Sequence, residues 1–192
     1  MKKSVSKQIA FIGVMFALVF VVLTLETMVA KIFLFIPPAI LSIPLAISLS
    51  MYADKSKMFV GGTILGVCSF ILSFIIGLAI FYNPLISILP RVIMGIVAYG
   101  VYKGVRNLTK NSDNNFVKDT LPASIAGGVA VLSNTVGVLG MMSLFAGDNA
   151  FLETTLSTII GINFVSEFIM GLVLVPILVK TLKQINSKKV AA

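Results

Sequence analysis

Residues 7–25 read KQIAFIGVMFALVFVVLTL, a lysine followed by an almost unbroken apolar run. A helix crossing the hydrocarbon of a bilayer needs about 20 mainly apolar residues at a rise of about 1.5 Å each. The run from Ile9 to Leu25, with its flanking residues, meets that need. Lys2, Lys3 and Lys7 in front of it give it the outline of a secretory signal, but five comparable runs follow, so it reads as the first of six helices. The runs predict helices near 8–28, 33–52, 58–80, 84–106, 119–145 and 152–182. Of the 192 residues, 58% are hydrophobic and 11% charged, against about a quarter charged in soluble domains. The expected fold is therefore an all-α integral membrane protein, one transmembrane domain over residues 1–192 with no room for an ATPase. Helix 2 is the least defined element, because Pro37, Pro38 and Pro44 interrupt or kink its first half.

The charges set the expected orientation. Lys2, Lys3 and Lys7 precede helix 1, and Lys55 and Lys57 lie between helices 2 and 3. Lys103, Arg106, Lys110 and Lys118 surround the link between helices 4 and 5, and Lys180, Lys183, Lys188 and Lys189 close the chain. Thirteen of the fifteen basic residues thus fall on one side. The other side has Lys31, an uncharged turn near residues 81–84, and the acids Asp148 and Glu153. Short cytoplasmic loops carry the Lys and Arg excess, so both termini are expected in the cytoplasm. The net charge of +8 is then a topology signal, with no nucleic-acid partner implied. Residues 107–115 (NLTKNSDNN) form the one polar loop of any length, read as a cytoplasmic connector. No internal repeat of the secondary-transporter kind is present. The chain has no histidine, and its one cysteine, Cys68, lies in an apolar run, so neither a metal site nor a cofactor is expected.

Few residues remain to carry function. In helix 4, Asn83 before Pro84 is an N-cap followed by proline at the first helical position. Asn83, Ser87 and Arg91 recur every four residues and share one face. Arg91 would lie about 10 to 12 Å below that helix start. A guanidinium so placed needs an answering group, and Glu167, the one acid deep in a span, is the natural candidate. Asn163 shares its face one turn earlier, and Asn134 on helix 5 falls in a comparable band. Arg91, Asn134, Asn163 and Glu167 either line one outward-opening pocket, or form an Arg91 to Glu167 ion pair with the amides joining helices. In the first case Arg91 suits a carboxylate, while the amides and Ser87 suit hydroxyl or amide groups, so the ligand is a polar anionic small molecule. Glu26 and Lys31 either flank its entrance or are solvated helix ends. On helix 1, Ala10, Gly13 and Ala17 make a stripe of small residues that suits either docking of another protein or packing within the bundle; Gly62 and Gly66 on helix 3 are read as internal packing.

With these residues in view, the chain resembles the substrate-binding S component of energy-coupling factor (ECF) vitamin transporters, over its whole length as six short-looped helices with a basic start. The stripe Ala10, Gly13 and Ala17 is similar to the family's helix 1 docking motif. Residues 83–91 (NPLISILPR) with 92–102 (VIMGIVAYGVY) resemble the helix 4 signature of the pantothenate-type branch, and residues 133–140 (SNTVGVLG) the matching part of helix 5. The resemblance implies a subunit in the plasma membrane of a prokaryote that binds a vitamin from outside. It would dock through helix 1 on a transmembrane coupling subunit driven by two ABC ATPase subunits and deliver its cargo by tilting. The polar residues read above, Asn83, Ser87, Arg91, Asn134, Asn163 and Glu167, are then the candidate substrate-binding residues. Pantothenate is the first choice of vitamin because its carboxylate, secondary amide and hydroxyls match Arg91, Asn134, Asn163 and Ser87, with a pyridoxine- or hydroxymethylpyrimidine-like compound or folate as alternatives. The chain has no phosphate-binding loop of its own, so ATP would be hydrolysed by partners. A self-sufficient carrier or channel, with Glu167 as a proton or cation site, is the rival class. An intramembrane enzyme lacks the necessary groups.

Overall fold

Backbone N–H and C=O groups in hydrocarbon must be satisfied within their own segment, and every regular element among the described residues is accordingly helical. The computed structural model describes residues 5–32, 39–52, 57–114, 116–145 and 163–191. In chain order these hold α1 (Val5–Ile32), α2 (Ser42–Tyr52), α3 (Val60–Ile76), α4 (Pro84–Ser87), α5 (Leu89–Thr109), α6 (Leu121–Phe145) and α7 (Phe164–Ala191). A short 3₁₀ turn over Ala79–Tyr82 precedes α4, and a π turn over Phe116–Thr120 precedes α6. Among the described residues, four stretches are long and apolar enough to cross a bilayer: Ile9–Ala30, Pro84–Thr109, Phe116–Phe145 and Phe164–Gln184. The chain is a helical membrane protein.

Helix boundaries depart from the expected ones for local reasons. α3 stops at Ile76 because Gly77 takes a left-handed φ of 78° and donates its N–H to the Ser73 carbonyl, an ending glycine adopts without strain. The expected helix over 84–106 is two pieces, α4 and α5, broken at Ile88. Of the last expected helix, residues 152–162 lie outside the described residues, as do Asp148 and Glu153.

The largest departure concerns α2. It has 11 residues, about 16 Å of helix, roughly half of what the hydrocarbon requires. Yet it is the most enclosed element, with Ser42, Ile43, Pro44, Ala46, Ile47, Ser48, Leu49, Ser50 and Met51 all buried. Pro44 falls in the first turn, where a missing N–H breaks no helical hydrogen bond. Residues 33–38, with Pro37 and Pro38, lie outside the described residues. α2 runs through the middle of the bundle, against α3, α5 and α7, while α5 packs on α6 and α6 on α7. Ser48 ties α2 to α7 through a hydrogen bond to the Val175 carbonyl, 3.5 Å.

Small residues set how closely these helices approach. The backbone of α3 lies on that of its neighbours: a Cβ at Gly61 would strike the Ala46 carbonyl oxygen, one at Gly62 the Arg91 carbonyl oxygen, and one at Gly66 would sit 2.9 Å from the Ile88 Cα. Gly127 of α6 faces Gly171 of α7 in the same way. Gly62 and Gly66 thus serve the internal packing expected of them. α1 is peripheral, resting on α3 and α2 through a face that includes Val19 and Leu23. Its Ile9, Val14, Val21, Leu25 and Met28 stay exposed.

Candidate functional site

The broken helix builds the centre of the site. Asn83 has extended backbone and its side-chain oxygen accepts from the Leu85 N–H at 2.9 Å, so it caps α4, with Pro84 at the first helical position as the sequence requires. Pro90, at the start of α5, has no N–H to give to the carbonyl four residues earlier, that of Ile86. The Arg91 guanidinium answers it: Nη1 donates to the Ile86 carbonyl at 3.3 Å and to the Ser87 carbonyl at 2.5 Å. The same guanidinium lies over the Phe81 ring, 5.5 Å from its centroid. The run Asn83 to Arg91 is therefore a fold-specific device. Its proline breaks the helix, and its arginine satisfies the broken end and is held there by it.

Ser87 is fully buried and its hydroxyl donates to the Phe81 carbonyl, which also accepts from Ser73 at 3.3 Å. The hydroxyl thus fixes the 3₁₀ turn against α4.

Asn134 and Glu167 meet at one depth. α6 and α7 run antiparallel, and Gly171 packs against Gly127 and the Val131 side chain. From that contact, three residues along α6 reach Asn134 and four back along α7 reach Glu167, so both stand about one turn beyond it on facing helices. Asn134 is 6% exposed and its Oδ1 has no hydrogen-bond partner among the described residues. Next along the Asn134 face, Gly137 lies on Pro90, 3.0 Å from a Cβ placed there, which brings this face of α6 onto the start of α5. Glu167 is 9% exposed and lies close enough to Arg91 for each charge to act on the other. Among the described residues no ion pair joins them. Asn163, one turn before Glu167, offers its carbonyl to the Ser166 hydroxyl at 3.2 Å.

In sequence comparisons the chain is 25% identical over 202 aligned positions to the pantothenic acid transporter PanT of Lactococcus lactis subsp. cremoris, an alignment that covers 95% of this chain and 96% of that protein. It is 34% identical over 110 positions to the pantothenate transporter PanT of Leuconostoc mesenteroides subsp. mesenteroides, covering 52% of this chain and 51% of that protein. Both relatives carry the name of a pantothenate transporter. No family model matches the chain.

Sequence reasoning underrated one acid. Glu26, buried at the end of α1, accepts from the backbone N–H groups of Leu41 and Ser42, the latter at 3.2 Å to Oε2. A carboxylate on the unpaired N–H groups of a helix start is favoured by both hydrogen bonding and the helix dipole, so Glu26 fastens α1 to α2. Glu26 is also near enough to add its charge to the field at Glu167. The signal was its rarity, since few acids fall within the apolar runs.

The site therefore combines one cation, one unanswered amide oxygen and one carboxylate free of ion pairing among the described residues. Arg91 makes both of its carbonyl bonds through Nη1, and a guanidinium has five N–H groups, so donors remain for a ligand. A molecule with an anionic end for Arg91 and hydroxyl or amide N–H groups for Asn134 and Glu167 matches this set. Asn134→Leu separates function from folding. Removing a buried acceptor that nothing among the described residues satisfies should leave the melting temperature unchanged or raised, while ligand affinity falls about tenfold, measured by calorimetry on the purified protein.

Proposed function

We propose that this chain is the substrate-binding S subunit of an ECF-type importer and that its substrate is pantothenate. The observation that carries this reading is the near full-length likeness to a protein named as a pantothenic acid transporter. The chemistry of the site supports it, since pantothenate has a carboxylate for Arg91 and a secondary amide and hydroxyls for Asn134 and Glu167, with Asn163 one turn before Glu167. Six spans with both termini in the cytoplasm of a prokaryote place these groups toward the outside, with α2 and the preceding residues counted together as the second span.

The partners are a transmembrane coupling subunit and two ABC ATPase subunits. Ala10, Gly13 and Ala17 are all exposed on α1, and among the described residues no other part of the bundle comes within 4 Å of a Cβ placed at Gly13. Such a surface suits close approach of another helix. Ala17→Trp is accordingly expected to leave pantothenate binding unchanged in detergent and to abolish both uptake and co-purification with the coupling subunit. Intact uptake by that variant would remove helix 1 from the docking role.

The deciding experiment is mass spectrometry of small molecules released by denaturing the purified protein, followed by titration with pantothenate. One vitamin in near-stoichiometric amount names the substrate, and a pyridoxine-like compound or folate in its place would redirect the assignment. Uptake by the chain alone in liposomes, without ATPase subunits, would overturn the S-subunit reading in favour of a self-sufficient carrier.

A further inference from the structure

Tyr102 lies eleven residues beyond Arg91 on α5, about 16 Å along the helix, and is 2% exposed. Its hydroxyl accepts a hydrogen bond from Lys183 Nζ of α7 at 2.8 Å, and the same ammonium lies 5.5 Å from the ring centroid. The Arg106 guanidinium lies 5.9 Å from that centroid as well. One buried ring therefore gathers two like charges from two helices. Each cation gains from the ring, but their mutual repulsion is left standing. The π turn that packs against α5 and α7 brings Asp119 to this end, yet among the described residues no carboxylate forms an ion pair with either cation. Lys103, over the Tyr99 ring at 5.4 Å, adds a third charge, and exposed Lys180 a fourth.

We propose that the Tyr102, Arg106 and Lys183 cluster is a binding site for the phosphate headgroup of an anionic phospholipid. Arg106 is exposed and Lys183 half-buried, so the two cations open outward from the ring. The surfaces leading to them are those of a protein that faces lipid. On α5, Ile93, Ile96, Gly100 and Lys103 form one exposed stripe, and on α7, Ile169, Val173, Ile177 and Lys180 form another. Each stripe is apolar through the membrane and ends in a lysine at the depth of the cluster. Acyl chains along these stripes would bring a phosphate to the two cations, and basic pockets between helix ends are suited to such headgroups. A free anion would use the charges alone and leave the apolar stripes unused.

The test is native mass spectrometry of the detergent-purified full chain with added phosphatidylglycerol, with phosphatidylcholine and glycerol 3-phosphate as comparators. Phosphatidylglycerol should be retained and phosphatidylcholine lost. R106Q/K183Q should weaken retention about thirtyfold, at about fivefold for each basic group. K110Q/K118Q removes the same net charge from the same end without touching Tyr102 and should change it less than about threefold, and R106K/K183R should restore it. Equal losses in the two double Gln variants would overturn the site in favour of general surface attraction. Equal retention of phosphatidylcholine, or displacement by glycerol 3-phosphate at matched concentration, would overturn it too. If R106Q/K183Q does not fold, Arg106→Gln alone, at an exposed position, should still show a loss of about fivefold, and its absence counts against the site.

Discussion

Arg91→Ala is expected to weaken pantothenate binding by roughly 2 to 5 kcal/mol, a loss of more than about thirtyfold in Kd. The size follows from where the guanidinium stands. It is held by the Ile86 and Ser87 carbonyls and the Phe81 ring, so little ordering remains to oppose binding, and a carboxylate meeting it away from bulk water gains a charge-assisted contact. The same substitution leaves two carbonyls without their donor and therefore costs stability too, so affinity alone is an ambiguous readout. An analogue in which the carboxylate is replaced by a hydroxymethyl group separates the two effects. The native protein should prefer pantothenate over this alcohol by tenfold or more, and Arg91→Ala should bind both about equally. Arg91→Lys keeps the charge but loses the planar fork and should fall between. If Arg91→Ala preserved the preference for the carboxylate, Arg91 would be left with only its carbonyl-capping role.

How far this was legible from the sequence depends on the element. Long apolar runs are properties of composition, so α1 and α6 fall close to their expected places, whereas α7 runs on to Ala191, past its expected end at 182, because the polar lysine-rich tail continues the helix beyond the apolar run. The Asn83 cap was equally readable, because it depends on adjacent residues alone. The break at Ile88 was present as Pro90, but its consequence was not. Whether a proline in a helix leads to a kink, a break or a helix start depends on what answers the freed carbonyl, and here the answer is the next residue's own side chain. For α2 the prolines did mark the first half of the expected helix as interrupted, and the described helix begins at Ser42, but its enclosed place in the bundle was not readable along the chain. Three prolines in eight residues look disruptive along the chain, whereas the buried Ser50 and the glycines of α3 and α5 that lie against it, Gly61 and Gly95, become meaningful only when helices distant in sequence are brought together. The pocket residues were named from polarity and depth. Their division of labour was not, since Ser87 serves the Phe81 carbonyl while Asn134 Oδ1 is left unanswered among the described residues, and nothing local to either residue distinguishes them.

Gly62→Val is expected to be the most damaging single substitution in the bundle. A Cβ at Gly62 would lie far inside contact distance of the Arg91 carbonyl oxygen, with the Arg91 carbonyl carbon and Val92 Cα close behind. These are backbone atoms in the first turn of α5, so no side-chain rotation relieves the clash and α3 must move away from α5. Overpacking of this kind costs about 3 kcal/mol or more, which corresponds to a melting temperature lower by about 6 to 12 °C for a chain of this size, read from a thermal shift or the monodisperse yield in detergent. Gly13→Val gives the comparison, because among the described residues no other part of the bundle comes within 4 Å of a Cβ there, and its stability should change by less than about 0.5 kcal/mol. A functional consequence follows from the same geometry. Separating α3 from α5 displaces the residue that carries Arg91, so whatever Gly62→Val protein survives should bind the carboxylate ligand more weakly than its remaining folded fraction explains. A variant that melts like the native protein and binds normally would mean that α3 does not rest on the Arg91 backbone, and the site would then be positioned by α4 and α6 alone.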